Sequence, residues 1–360
     1  MLRDQFYMAD KLKDILKDRH IEASAPCRID MGGTLDISTF YYPLMHLNPC
    51  TFNIAINLRT RVSILPFEKN SIRISSRGFR SAEYPPGSAP FNHPLGLMFA
   101  IATFFRAEGI HIVIDSSSPP RSALGGSSAA AVALIAAFSK TCENAGKKPL
   151  SKRQMVLIAH AIEQSVAGVP CGLQDQLAAA FGGVNAWYWK DGIDGPPFVK
   201  KIIIGKEFAG DFEKNFILAY CGVPHESKNI NGRWVRRFVS GKQRDLWDDI
   251  VICTGKFIEA VSNRKFQDAA FFMNKETAIR RKMTPDVLDD MGRMLVMSAV
   301  KNNCGARFTG AGGGGCIWAI GEAGNIEKLK KKWEFILMKR KGAGLIEVKP
   351  DYRGVSVREK

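Results

Sequence analysis

Apolar and polar side chains alternate through TFNIAINLRTRVSILPF (51–67), SIRISS (71–76) and HIVID (111–115), the period of strands with one face buried. The segment RGFRSAEYPPGSAPFNHPLG (77–96) reads as a long loop from its Pro, Gly and Ser content. PPRSALGGSSAAAVALIAAFSK (119–140) opens with turn formers and continues as a helix that is apolar nearly all round, so it belongs at the centre of a core. SKRQMVLIAHAIEQ (151–164) is a second helix, started by Ser151 with Gln154 as a capping box. Alternation returns over 183–204, where DGIDGPP marks a hairpin-like turn. Past about residue 210 the pattern changes to a strand, FILAY (216–220), and then long amphipathic helices, one expected to open at Thr284 and Pro285. A glycine run, the strand CIWAI, the helix KLKKKWEFILMKRK (328–341) with Leu329, Trp333, Ile336 and Leu337 facing a core, and a strand LIEVK (345–349) follow. No internal repeat is visible. The expectation is an α+β protein of two domains, 1–208 and 209–360.

Composition narrows the class. At 360 residues and 46% hydrophobic content the chain can bury two ordinary cores. Its longest apolar run, AAAVALIAAF (129–138), is about half the ~20 residues a membrane-spanning helix needs. The opening MLRDQFYMADKLKDILKDRH mixes acids and bases in a helical pattern without an apolar signal region, so a cytoplasmic location is expected. Eight cysteines lie scattered without a CxxC pair or zinc spacing to a histidine, which favours reduced, buried thiols. A net charge of +16 suits an anionic partner, whether phosphorylated metabolite, nucleotide or nucleic acid. The lysines of 328–341 read as a solvated helix face, and no aromatic residues interleave with a basic strand as a single-strand platform requires.

Four stretches carry candidate chemistry. In RFTGAGGGGC (307–316), Gly310, Gly312, Gly313, Gly314 and Gly315 free the backbone to approach an anion or a neighbouring loop, or simply to bend. In SALGGSSAA, Ser127 and Ser128 stand at a helix start whose free N–H groups favour an anion, although a serine there also serves as a cap. No GKS or GKT follows, so this is not a Walker loop. In AIEQSVAGVPCGLQDQLAAAFGG (161–183), Glu163 falls near the end of its helix, where the dipole disfavours a carboxylate and a cation would compensate. Asp175 sits in a polar island among apolar residues, either as a helix cap or as a group kept for chemistry. In SAPCRIDMGGTLDISTF (24–40), Arg28 and Asp36 are either an ordinary ion pair and turn aspartate or part of a site.

Together these stretches resemble the GHMP kinase superfamily, named for galactokinase, homoserine kinase, mevalonate kinase and phosphomevalonate kinase. Three motifs occur in the family's order, APCRID…GGTLD, PPRSALGGSSAA and RFTGAGGGGC, and span residues 24 to 316. QDQLAAAFGG (174–183) is most similar to sugar 1-kinases of the D-glycero-D-manno-heptose 7-phosphate kinase type. The GEH tripeptide typical of galactokinases is absent, which argues against galactose. Arg121 and Ala123 stand where the family has glycines, and Ala123 is expected to keep the loop with a negative φ.

The resemblance implies a two-domain α+β GHMP kinase fold, an N-terminal ribosomal-protein-S5-domain-2-like domain and a C-terminal ferredoxin-like α/β sandwich, with the active site in the cleft. It implies that Leu124, Gly125, Gly126, Ser127, Ser128 and Ala129 bind ATP and that Ser128 and Glu163 hold Mg2+. Asp175 would accept or orient the proton of an acceptor hydroxyl, with Arg28 neutralising it or the transferring phosphoryl group; a carboxylate beside a guanidinium stays ionised, as a base must be. Gly33, Thr34, Asp36, Gly312 and Gly313 would bind substrate, and the late glycine run would lie against the nucleotide loop. The acceptor implied is a small sugar or sugar phosphate, with no nucleic acid or membrane partner, in a monomer or homodimer. His225, Lys228, Arg233, Arg236 and Arg237 form either a phosphate clamp or a basic helix face. Alternatives are another small alcohol (galactose-, glucuronate- or mevalonate-like), a silent nucleotide- or sugar-binding regulator on the same fold, and a nucleic-acid binder.

Overall fold

The structure, a computed structural model, describes residues 15–16, 20–224 and 230–359. Most of the helix expected over 1–20, and His225 and Lys228, lie outside the described residues.

Two long strands, β1 (Ile21–Met31) and β2 (Cys50–Pro66), pair antiparallel along nearly their full length, with a register shift at Pro26/Cys27. The shift matters because the chain beyond it is buried on both faces. Cys27, Ile29 and Met31 point one way into apolar packing, while Arg28 and Asp30 point the other way and are buried as well. Buried charges need partners, so this half of β1 is committed to a polar network. Around the pair, β5 (Ile110–Ser116), β3 (Ile72–Ser76) and β4 (Ala82–Tyr84) extend one side, and β6 (Val184–Trp189) with β7 (Phe198–Ile204) joins the first half of β2. The final strand, β12 (Ser356–Glu359), returns from beyond residue 208 to pair with β1, so this sheet draws on both expected domains.

A second, all-antiparallel sheet has the order β11–β8–β10–β9, made of Gly344–Ile346, Phe216–Tyr220, Cys316–Ile320 and Gly305–Phe308. β10, CIWAI, is buried on both faces. Cys316, Trp318 and Ile320 join the core under the first sheet, whereas Ile317 and Ala319 join a second core with Trp234, Trp247 and Trp333. One strand thus serves both cores, which is why its sequence has no polar alternate positions.

Helices of eight residues or more cover these sheets: α1 (Gly96–Phe104), α2 (Gly126–Asn144), α3 (Lys152–Val166), α4 (Gln174–Phe181), α5 (Ile230–Val239), α6 (Arg244–Ser262), α7 (Phe266–Met283), α8 (Asp290–Lys301) and α9 (Ala323–Leu337). α2 is the apolar central helix, and α3 carries the expected capping box between Ser151 and Gln154. Three expectations change. The loop over 77–96 holds β4 and leads directly into α1, because an apolar run, GLMFAIATF, follows its glycine. Thr284 and Pro285 open only a single 3-10 turn, while the α-helix starts later, with Asp289 accepting from the Gly292 N–H at 2.8 Å. LIEVK pairs only as far as Ile346, because the chain then crosses to the first sheet, where Lys349 and Asn57 exchange bonds of 2.8 and 2.9 Å. No helix among the described residues is long and apolar enough to cross a membrane.

Candidate active site

Arg28 is the anchor. Its backbone N–H donates to the Leu124 carbonyl at 2.9 Å, and its Nη1 donates to the Ala123 carbonyl at 2.6 Å, fastening the loop before α2 to β1. The rest of the guanidinium grips Asp175 in two bonds, 2.7 and 2.9 Å. Burial works against the Arg28 charge, but Asp175 and then Asp30 outweigh it and raise its pKa, so it stays a cation. Asp175 lies in the first turn of α4, whose N-cap is Leu173 without a side-chain cap bond; the capping alternative is therefore excluded. A Cβ on Gly125 would stand 3.1 Å from Asp175 Oδ2, so the glycine, at φ 73°, lets the loop lie tight on the carboxylate.

The serine pair at the start of α2 does not cap the helix. Gly125 is the N-cap and no side-chain cap bond forms. Ser128 instead donates to Glu163, 2.9 Å to Oε2, and the Gln176 amide donates to the same oxygen at 2.6 Å. Glu163 occupies the last turn of α3, as its spacing implied. Burial pushes its pKa up to about 7; the Ser128 bond opposes this, Asp175 adds to it, and Gln176 and Arg28 oppose it. No ion pair compensates Glu163 among the described residues. Such a carboxylate beside a hydroxyl, at a loop of free N–H groups, fits an ion like Mg2+, which takes one or two protein oxygens and completes its shell with water and phosphate.

Asp36 is the third carboxylate. Its Oδ2 accepts the Gln174 N–H at 3.0 Å, while its Oδ1 is buried without a partner. Burial raises its pKa to about 6, with the Gln174 bond opposing and Asp175 reinforcing. A Cβ on Gly172 would overlap this carboxylate, so glycine is required there. Thr34 has φ 77°, a conformation that strains a β-branched residue by roughly 1–3 kcal/mol.

Two cavities meet at Ala123, Gly125, Ser128, Glu163 and Asp175. One, about 330 Å³, has apolar walls from Phe79, Leu95, Met98 and Ile114 and a floor formed by the loop through Ser122–Ser128. Leu124 and Ala129 are buried beneath that floor, while Ser127 is exposed at its rim. The other, about 230 Å³, is lined by Arg28, Thr34, Asp36, Gln174, Asn231 and Gly310 among others. Gly33 lies behind it, its carbonyl taken by Arg280 at 2.8 Å.

The glycine run does reach the α2 loop, but through its ends. A Cβ on Gly315 would meet the Ser122 carbonyl at 2.6 Å, and one on Gly310 would meet the Ala123 carbonyl at 3.4 Å. Gly312 and Gly313 face away from both cavities: a Cβ on Gly312 would strike the Val287 carbonyl, and the Gly313 N–H donates to that carbonyl at 2.8 Å. Neither lines a cavity here; both shape the turn. Ala123 has φ 60°, contrary to the negative φ expected of it, and Arg121 has φ 55°. Both are left-handed, the geometry glycine would adopt freely, and Arg28 bonded to the Ala123 carbonyl helps hold it. On α5, Arg233 pairs with Asp286 at 2.9 Å and Arg237 donates to the Met283 carbonyl, so these two help dock the helix.

Sequence reading missed a buried ionic chain behind the site. Asp30 accepts from Arg307 at 2.9 Å and from the Gly310 N–H at 2.7 Å; Arg307 bonds Glu276 at 2.9 Å, and Glu276 bonds Arg280 at 2.8 Å. The period of β1, with Asp30 on the same side as Arg28, was the available signal for the first member. Nothing local marks Glu276 and Arg280, whose helix pattern is that of an ordinary amphipathic segment.

Residues 94–183 match the family model for the N-terminal domain of the GHMP kinases. Among curated proteins the chain is similar to a mevalonate kinase of Pyrococcus abyssi, 24% identical over 330 residues, covering 84% of this chain and 89% of that protein. It is also similar to the D-glycero-alpha-D-manno-heptose 7-phosphate kinase of Campylobacter jejuni, 25% identical over 233 residues, 64% of this chain and 65% of that one. Among solved structures, Lactococcus lactis galactokinase complexed with galactose has the same fold, with a TM-score of 0.73 at 15% identity over 97% of this chain and 98% of its own.

Proposed function

We propose that this small-molecule kinase works as a member of the GHMP kinase superfamily, in keeping with the match of residues 94–183 to that family's N-terminal domain, and transfers the γ-phosphoryl group of ATP to a hydroxyl, the anomeric one, of a sugar or sugar phosphate. The observation that carries the acceptor class is Asp36. Its buried, unpartnered Oδ1 at the polar cavity accepts hydrogen bonds and repels anions, so it matches the hydroxyls of a polyol. Arg28 is the one cation lining that cavity among the described residues, and Asp175 and Ala123 already occupy it.

The nucleotide base lies between the apolar walls of the larger cavity, with the phosphates over the N–H groups of 125–128 at the start of α2. Phosphoryl transfer asks mainly for alignment and charge neutralisation. Ser128 and Glu163, the latter oriented by Gln176, would hold Mg2+, which neutralises phosphate oxygens when bound. Asp175 at the junction of the cavities orients the acceptor hydroxyl and takes its proton, and the two-bond grip of Arg28 fixes the direction of that carboxylate. Asp36 holds neighbouring hydroxyls.

A mevalonate-like alcohol is the second reading, favoured by the longer match to a mevalonate kinase. Incubating the protein with ATP, Mg2+ and a panel of hexoses, heptose 7-phosphates and mevalonate, with ADP release as the assay and phosphorus NMR of the product, tests both. A phosphate on an anomeric oxygen supports the first reading; turnover of mevalonate alone overturns it.

A further inference from the structure

We infer that Arg280 is a positioning residue for the acceptor, holding the strained loop that carries Asp36; this rests on the reading of the polar cavity as the acceptor's. Arg280 belongs to α7, far in sequence from that loop, and is fully buried. Its guanidinium lies between the rings of Trp234 and Trp247, 4.7 and 4.8 Å from their centroids. Every edge is engaged: Nε donates to Glu276 at 2.8 Å, Nη1 to the Thr34 hydroxyl at 2.9 Å and Nη2 to the Gly33 carbonyl at 2.8 Å.

Two of these three bonds end on the loop between β1 and Asp36. Elsewhere the loop is held by packing and by single bonds: Leu35 and Ile37 are buried in the second core, Leu35 N–H donates to the Gly32 carbonyl at 3.2 Å, Ile37 N–H to the Thr34 carbonyl at 3.0 Å and Gln174 N–H to Asp36 Oδ2 at 3.0 Å, so Arg280 supplies the contacts at the strained Gly33–Thr34 step itself. Thr34 at φ 77° would relax toward an ordinary conformation if released. Arg280 opposes this by pinning the threonine's hydroxyl and the carbonyl before it, and the fork geometry needed for two such bonds is one a lysine lacks. Asp36 is two residues further on, so its direction into the cavity depends on the clamp. On its other side Arg280 continues through Glu276, Arg307 and Asp30 toward Arg28, whose Nη1 is 3.8 Å from Asp30. The acceptor loop and the Arg28–Asp175 pair are thereby built on one buried ionic frame.

The test compares Arg280→Lys, Thr34→Val and Thr34→Ser with the parent protein by amide hydrogen exchange and by steady-state kinetics. Arg280→Lys and Thr34→Val are expected to speed exchange at Leu35 and Ile37 about tenfold or more while α2 and β2 keep their protection. With whichever probe turns over (heptose 7-phosphate, mannose, galactose or mevalonate), the acceptor KM should rise about tenfold or more, with the ATP KM within about twofold. Thr34→Ser, which keeps the hydroxyl, should restore both. Exchange unchanged at 35 and 37 overturns the inference, as does an equal rise in both KM values. If Arg280→Lys does not fold, Thr34→Val, which leaves Arg280 in place, carries the test. Should none of the four probes be phosphorylated by the parent protein, the acceptor reading fails, and the exchange result alone decides the role of Arg280.

Discussion

The two cavities that meet at Asp175 are built on opposite plans. The larger has apolar walls drawn from several segments, Phe79, Leu95, Met98 and Ile114 among them, but its floor comes from one continuous stretch, 122–128, so only the floor is local. The smaller is assembled from β1, the loop after it, the start of α4, α5 and the glycine run, with buried carboxylates whose neighbours come from all of these. A site made of backbone and apolar surface tolerates sequence change, as Arg121 and Ala123 at left-handed φ illustrate. A site made of buried charge does not, because each ion needs a partner in register. The first plan suits a common substrate such as a nucleotide, the second a specific one.

The largest effect should come where the plans meet. Asp175→Asn keeps shape but removes the base, and kcat should fall at least ~100-fold with ATP binding, measured by fluorescent nucleotide titration, nearly unchanged. Near-normal turnover would remove Asp175 from the chemistry. Next is Glu163→Gln, expected to raise the Mg2+ concentration needed for half-maximal rate about 10- to 100-fold while leaving the acceptor KM alone. Asp36→Asn should do the reverse, raising the acceptor KM about tenfold with little change for ATP. If both variants shift both substrates equally, the division of labour between the cavities is wrong.

Proton linkage gives a smaller effect. Burial pushes the Glu163 pKa up to about 7 and the Asp36 pKa up to about 6, against ordinary values of 4.5 and 3.8. The folded state therefore binds more protons than the unfolded one in that window, and stability is greatest at the acidic end and falls as pH rises toward 7. Thermal melts from pH 5 to 8 should show this decline, by up to about 3 kcal/mol from Glu163, and Glu163→Gln should flatten most of it. Nucleotide with Mg2+ needs the ionised carboxylate, so its binding should tighten over the same range. The smallest effect belongs to Ala123→Gly. Relief of roughly 1–2 kcal/mol of left-handed strain is offset by about 0.5–1 kcal/mol of glycine entropy, so a melting temperature raised by a few degrees at most is expected, with ATP KM within about twofold. A clear loss of stability would mean the loop gains from the alanine methyl group.

Much of the fold is legible in the sequence. Strands β2, β3, β5 and β8, the central helix α2 and the capping box of α3 follow from local periodicity and from chemistry within one turn. Ser128, Glu163 and Asp175 were legible as oddities: hydroxyls in excess of a cap, an acid at the wrong end of a helix, an acid in an apolar neighbourhood. Helix α1 was hidden by the loop composition before it, and β12 by its distance from β1, more than 300 positions away, since pairing partners leave no local mark. That Gly310 and Gly315, rather than Gly312 and Gly313, meet the loop before α2 was not legible, because glycine declares freedom, not direction.

The sequence alone determined that a turn-rich stretch, 119–126, leads into the central helix α2 and which acids stand near it, since turn chemistry and helix periodicity act over a few residues. Only the tertiary structure decided which of those acids has a partner and which is left waiting. That choice depends on long-range burial: Arg28 finding Asp175, Arg280 reaching Thr34, and Asp36 Oδ1 reaching nothing are outcomes of packing between segments up to 247 positions apart. The interior, where unpaired charge is costly, enforces them.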